Sequence, residues 1–151
     1  MRNLKTIISF IKNQPTLKLK ALGPLLNTYQ SKDWANFEFY DSEKYKKNLV
    51  FRNNQFEIFI VCWSEYQGTQ IHDHADNGCI LKVLQGQLTE YKYDTKSLKL
   101  KEICNLPTNS FSYIDNTGNY HKIINNSNEN AVSLHIYSPP NYQGKIYQES
   151  S

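Results

Sequence analysis

His72 and His74 stand one residue apart in the stretch Gly68 to Gly86, G-T-Q-I-H-D-H-A-D-N-G-C-I-L-K-V-L-Q-G. An extended strand sends residues i and i+2 to one face, roughly 7 Å apart, so two imidazoles at this spacing can aim one nitrogen each at a shared metal ion. Their plainer alternative is a cross-strand polar pair with no metal. Cys79 follows, then the apolar run Ile80 to Leu84 and the turn Gln85-Gly86, which reads as strand, turn, buried strand, tight turn. The chain has four histidines, the others being His121 and His135. Gly118 turns the chain before His121, which opens the run His121 to Ile124. Ser133, His135 and Tyr137 alternate along Ala131 to Tyr137 and therefore share a face. Taken alone, that segment is as readily an ordinary half-buried strand with satisfied hydroxyls.

The elements that must position these groups are short. Phe56 to Trp63 is a strong strand, and Gly68 to His74, Cys79 to Leu84, Gln87 to Tyr93, Leu98 to Cys104, Phe111 to Ile114, His121 to Ile124 and Ala131 to Tyr137 follow it. Seven or eight strands separated by Asn, Asp, Ser and Gly turns predict an all-β barrel or jelly roll. Aromatics at 13%, with eleven Tyr and seven Phe, agree with that class. Upstream, Leu4, Ile7, Ile8 and Ile11 have helical spacing up to Asn13-Gln14-Pro15. Thr16 caps a second helix through about Leu26, which Gly23-Pro24 weakens, and Ser31 caps a short turn. Residues 1–40 thus form a helical segment without a chemical motif, packed on one side of a sheet. Residues 45–140 form the barrel and 141–151 a loose polar tail, within one domain spanning 1–151.

The net charge is +3, from 17 Lys and Arg against 14 Asp and Glu, and the positive residues are scattered lysines apart from Arg2 and Arg52. This reads as solubility and not as a nucleic-acid footprint. Three cysteines do not complete a disulfide framework. The N-terminal apolar stretch between lysines is too short for a signal core or a membrane span, so a reducing cytoplasm is expected. With no heptad or apolar edge in view, a monomer is expected.

His72, His74, position 79 and Gly86, followed by Gly118, His121 and Asn125, are spaced as in the two halves of the cupin signature. The usual carboxylate ligand is replaced by Cys79. H-D-H-A-D-N-G-C-I-L-K-V-L-Q-G together with A-V-S-L-H-I-Y-S-P-P closely resembles the cysteine dioxygenase family of thiol dioxygenases, and Tyr45 to Val50 and Cys62-Trp63 fit as well. The resemblance covers about Tyr45 to Pro140. It implies a small cupin barrel and Fe(II) held by His72, His74 and His121. Three neutral imidazoles leave sites for a bidentate thiol and dioxygen, and zinc on the same nitrogens offers no route to dioxygen. It further implies a relay in which Ser133 steadies His135 and His135 meets the hydroxyl of Tyr137. Cys79 and Tyr137 are the pair that some members join by a thioether. Gly78 beside Cys79 leaves a one-residue shift of that match open.

The family's carboxylate-binding arginine falls on Lys47, with Tyr45 contributing a hydroxyl. Lysine has the charge but not the bidentate fork; a plain solvated lysine is the alternative. Arg52 lies on the opposite face of a regular strand unless a turn at Asn48 to Val50 redirects it. The expectation is an iron(II) enzyme of cysteine catabolism that oxidises L-cysteine with O2 to cysteine sulfinic acid. Another carboxylated thiol such as 3-mercaptopropionate, or a non-catalytic small-molecule-binding cupin, is the alternative.

Overall fold

The computed structural model describes residues 2–151. Its frame is set by two strands whose sequences put apolar residues on one face and different chemistry on the other. In β2 (Glu57–Trp63) every residue is buried. Ile58, Ile60 and Cys62 face an outer core, while Phe59, Val61 and Trp63 face an inner one. In β9 (Ala131–Tyr137) Val132, Leu134 and Ile136 join the outer core. That leaves Ser133, His135 and Tyr137 on the inner face, because a strand alternates its side chains.

Around them stand β1 (Lys46–Arg52), β3 (Ile71–His72), β4 (Cys79–Gln85), β5 (Leu88–Asp94), β6 (Leu100–Leu106), β7 (Phe111–Ile114), β8 (Asn119–Ile124) and β10 (Ile146–Tyr147). One antiparallel sheet has the order β1-β2-β9-β4-β7 and the other β10-β3-β8-β5-β6. This is the all-β, jelly-roll-like architecture expected, with the two sheets enclosing the inner core.

The N-terminal segment covers the outer face of the first sheet through Leu4, Ile7, Ile11, Leu19, Leu22, Leu25 and Leu26. α1 (Leu4–Lys12) starts at Asn3, whose side-chain oxygen accepts the Thr6 amide at 2.9 Å. The expected helix from Thr16 to about Leu26 is instead a 3-10 turn over Leu19–Leu22 followed by α2 (Gly23–Asn27). Proline has no amide proton to give a helix interior, so the α-helix begins afresh with Pro24 in its first turn. Lys82, on the outer face of β4, then donates to the carbonyls of Leu26 and Tyr29 at 2.8 Å each. Those two contacts pin the end of α2 to the sheet.

Two expectations are corrected. The segment 141–151 is not a loose tail: β10 pairs with β3, bringing Ile146 opposite His72 and Tyr147 opposite Ile71. The polar composition that reads as disorder supplies hydrogen-bonding side chains to buried acceptors. Arg52 does not lie opposite Lys47. A bulge between Leu49 and Phe51 shifts the register, so Lys47 pairs with Val61 and Arg52 with Glu57, both on the inner row of β2.

Gly78 fixes the start of β4. Its φ is +80°, and a Cβ there would sit 2.3 Å from the carbonyl oxygen of Ile114. Backbone geometry therefore demands glycine at 78 and puts the thiol at 79. Gly78→Ala should lower the free energy of unfolding by about 2–5 kcal/mol, from the left-handed conformation and the overpacking together. Urea denaturation of the two proteins measures this, and an unchanged midpoint would contradict it.

Candidate metal centre and active site

The rings of His72, His74 and His121 meet between the sheets with centroids 4.6–5.0 Å apart. One nitrogen from each lies within 4.8 Å of the others. Strands β3 and β8 pair His72 directly with His121, and His74 follows just beyond β3. The two motifs read from sequence are thus brought together by one antiparallel bridge.

Hydrogen bonds fix which nitrogens face inward. Nδ1 of His72 lies 2.8 Å from the carbonyl of Gln70, which can only accept, so the proton is on Nδ1 and Nε2 is a free lone pair. Nδ1 of His121 meets the Glu90 carboxylate at 2.7 Å, which fixes the same tautomer. Nε2 of His74 lies 3.0 Å from Nε2 of His121, and Nδ1 of His74 has no hydrogen-bond partner among the described residues. Without a cation, His74 cannot be satisfied. A proton on Nε2 leaves Nδ1 a bare acceptor, and a proton on Nδ1 sets two lone pairs against each other. With the proton on Nδ1, a divalent ion bound by both Nε2 atoms removes that repulsion between lone pairs, since nitrogens about 2.1 Å from one ion and at right angles are roughly 3.0 Å apart. The donor set fits a metal.

Burial also keeps the cluster neutral. It lowers the pKa of His72, takes that of His74 down to about 2 and holds that of His121 well below the usual imidazole range. The neighbouring imidazoles push His74 and His121 further the same way. Neutral imidazole is the form that binds metal.

The motifs do not single out Glu90. It is 1% exposed and also accepts a hydrogen bond from the Ser112 hydroxyl at 2.7 Å. Burial raises its pKa, while Ser112 and Lys92 favour the ionised form. The available signal is alternation: Glu90 shares the inner face of β5 with Leu88, and both are buried.

A second chain of hydrogen bonds runs along β9. Nε1 of Trp63 donates to Ser133 Oγ at 3.0 Å, Ser133 Oγ lies 2.9 Å from His135 Nε2, and His135 Nδ1 lies 3.0 Å from the Tyr137 hydroxyl. An indole N–H can only donate. Ser133 therefore accepts from Trp63, and since its buried hydroxyl has no other acceptor among the described residues it gives its own proton to Nε2, so His135 carries its proton on Nδ1 and donates to Tyr137. The phenolic proton is not used by His135 and is shared between the cavity and the Cys79 sulfur, with which Tyr137 also hydrogen-bonds. Tyr137 stays a phenol, its pKa raised well above normal by burial and then by Cys79. Cys79 is opposite Tyr137 in the β4–β9 register, with its sulfur 3.9 Å from His135 Nδ1, and burial pushes its thiol up to about 12.

These groups open on a cavity of about 430 Å³ whose wall includes Tyr45, Lys47, Glu57, Tyr137 and the three histidines. Trp63 stacks on Tyr45 with centroids 4.9 Å apart. The Lys47 ammonium lies 4.3 Å from the Phe59 ring centroid and 4.5 Å from that of Tyr137. Burial lowers its pKa, with Cys79 and Glu57 acting in the opposite direction. The cavity thus gathers every site residue singled out in the sequence except Ser133 and Cys79, which stand behind Tyr137 and His135. No helix among the described residues is long and apolar enough to cross a membrane.

Residues 2–150 match the family described as cysteine dioxygenase type I. The zebrafish (Danio rerio) cysteine dioxygenase type 1 is 37% identical over 147 residues, covering 91% of this chain and 73% of that one. The rat (Rattus norvegicus) and human proteins of the same name are 40% and 38% identical over 133 residues, covering 82% of this chain and 66% of theirs. Among solved structures, a double-stranded β-helix protein from Klebsiella pneumoniae aligns with TM-score 0.65 at 11% identity, over 80% of this chain and 98% of that one. An RmlC-like cupin from Desulfovibrio desulfuricans aligns with TM-score 0.54 at 15% identity, over 73% and 96%. These two likenesses concern the fold.

Because burial holds the three histidines toward the neutral form, divalent-metal affinity should fall less between pH 7.5 and 6 than it would for unperturbed imidazole ligands. Ligands with an ordinary pKa near 6.5 would each begin to lose affinity there. The apo protein behaves differently. Depressed folded-state pKa values mean that the unfolded chain takes up more protons, so apo stability should fall as pH drops below about 6.5. Glu90→Gln should weaken metal binding about 10- to 100-fold. Anaerobic calorimetric titration reads the affinities, and an unchanged affinity for the Glu90 variant would contradict its orienting role.

Proposed function

The chain belongs to the cysteine dioxygenase type I family, and on that premise we propose that it is an iron(II) thiol dioxygenase oxidising L-cysteine with O2 to cysteine sulfinic acid. The observation that carries this reading is the three-histidine cluster with no carboxylate among its converging ligand atoms, facing Tyr137 and Lys47 across one cavity. The residues that would hold the metal are His72, His74 and His121. A ferrous ion bound there supplies open coordination positions and the redox chemistry that activates dioxygen next to a thiolate.

The chain's own groups do the rest. Lys47 pairs with the substrate carboxylate, and Tyr45, held by its stack on Trp63, adds a hydroxyl. A lysine makes one point contact where a guanidinium makes two, so it orients the carboxylate less tightly. Tyr137 offers its phenolic proton toward the reacting atoms because His135 donates to its oxygen from the other side. Ser133 and Trp63 hold His135 in that tautomer. Cys79 is neither a metal ligand nor a nucleophile while its thiol stays protonated. Its place opposite Tyr137 supports a thioether between its sulfur and the tyrosine ring, with dioxygen taking up the two hydrogens lost. The free cysteines Cys62, Cys79 and Cys104 agree with a reducing cytoplasm. The working unit proposed is the monomer.

A second reading, a related carboxylated thiol such as 3-mercaptopropionate, is favoured by Lys47 in place of a guanidinium. Oxygen uptake by the iron-loaded protein separates the two. Uptake with cysteine is expected, and uptake with 3-mercaptopropionate alone would replace the first substrate by the second. Lys47→Ala should raise KM for the carboxylated thiol about 10- to 100-fold with iron retained, the loss expected for a hydrogen bond to a charged group. Unchanged KM would move the carboxylate site elsewhere.

A further inference from the structure

Asp73 lies between the two metal-side histidines yet points away from them. It is 7% exposed, and all its side-chain partners come from one segment far along the chain. Its Oδ1 accepts the Lys145 amide at 2.7 Å and the Tyr142 hydroxyl at 2.9 Å, and its Oδ2 accepts the Tyr147 hydroxyl at 3.1 Å. Its amide donates to the Lys145 carbonyl at 3.2 Å. Gly144 fits against the same stretch so closely that a Cβ there would be 3.1 Å from the Asp73 carbonyl oxygen and 3.7 Å from the His72 Cβ.

The other end of this segment hangs from a second buried carboxylate. Glu57, 5% exposed, accepts the Asn141 amide at 3.0 and 3.2 Å and the Arg52 guanidinium at 3.4 Å. Between these anchors, Tyr142, Gln143 and Gly144 wall the cavity on the side of His72, with Ile146 beyond them. The segment leaves one sheet at β9 and joins the other as β10, so it crosses the open end between the sheets. Little apolar burial holds it down: Tyr142 is 45% exposed and Ile146 55%. Segments with few buried contacts are those that open most easily. The two carboxylates hold it closed together with the short β10–β3 pairing and the stack of Tyr147 on Tyr120, centroids 4.4 Å apart.

We infer that Asp73 and Glu57 are positioning residues that clamp the strap 141–147 across the cavity mouth, and that the clamped strap limits the site to small thiols. This rests on the thiol dioxygenase reading. Asp73 is the more informative of the two, because one residue couples the metal-binding strand to the wall that confines the substrate. Tyr142 and Tyr147 are its partners on the strap.

The double variant Tyr142→Phe, Tyr147→Phe removes two of the clamp's hydrogen bonds without touching a histidine. Trypsin cleavage after Lys145, followed by intact mass as loss of residues 146–151, reads strap opening in the metal-free protein and needs no activity. Cleavage should quicken about tenfold or more, because it tracks the open population. In the iron-loaded protein, the kcat/KM ratio for glutathione over cysteine should rise about tenfold with iron content unchanged. If the double variant fails to fold, single Tyr147→Phe is read in the same way, with smaller shifts in the same direction. Cleavage and selectivity both at wild-type values would overturn the clamp. A wild-type protein that loads iron but oxidises no thiol would overturn the dioxygenase reading alone, and the cleavage rates would still decide the clamp.

Discussion

Three imidazoles are packed so closely in a water-poor space that none can take a proton and one cannot complete its hydrogen bonds. Nε2 of His74 and Nε2 of His121 stand 3.0 Å apart, so with the His74 proton on Nδ1 two lone pairs oppose each other until a cation lies between them. The fold tolerates this because His121 is tied to Glu90 and His72 to the Gln70 carbonyl, leaving Nε2 atoms facing a common point. The cluster is built to be completed by a cation. Everything else in the cavity, from the phenol of Tyr137 to the ammonium of Lys47, gains its chemical meaning from where that cation would sit.

The scaffold solves a competition between packing and chemistry by giving each a face. β2 and β9 bury apolar side chains under the N-terminal helices and turn Trp63, Ser133, His135 and Tyr137 toward the second sheet. A polar relay inside a protein is safe only when fully satisfied. Here each donor has an acceptor, in one direction, from indole to phenol. The last proton, that of the phenol, stands at the end of the relay, between the Cys79 sulfur and the cavity.

Much of this is legible in the sequence because it depends on local periodicity. Residues two apart in a strand share a face, so spacing alone groups His72 with His74, and Ser133 with His135 and Tyr137. The cupin-like spacing adds His121, and the long motifs add Lys47 and Tyr45. What stays hidden depends on contacts between distant strands or on irregular backbone. Glu90 reaches His121 across the β5–β8 pairing. Arg52 changes face through a bulge that no period-2 pattern marks. The polar C-terminal segment reads as unstructured because its ties run to Asp73 and Glu57, more than sixty residues away. Acidic residues flanked by strand-forming positions are the one signal that points there, and it is a weak one.

The central claim is that His72, His74 and His121 alone supply the protein's ligands to a ferrous ion, leaving room for a thiolate. X-ray absorption at the iron edge of the anaerobically loaded protein tests it most directly. The resting spectrum should show imidazole nitrogens with light-atom solvent ligands and no sulfur, and a sulfur neighbour should appear on adding cysteine. A sulfur neighbour before cysteine is added, or none afterwards, would contradict the account.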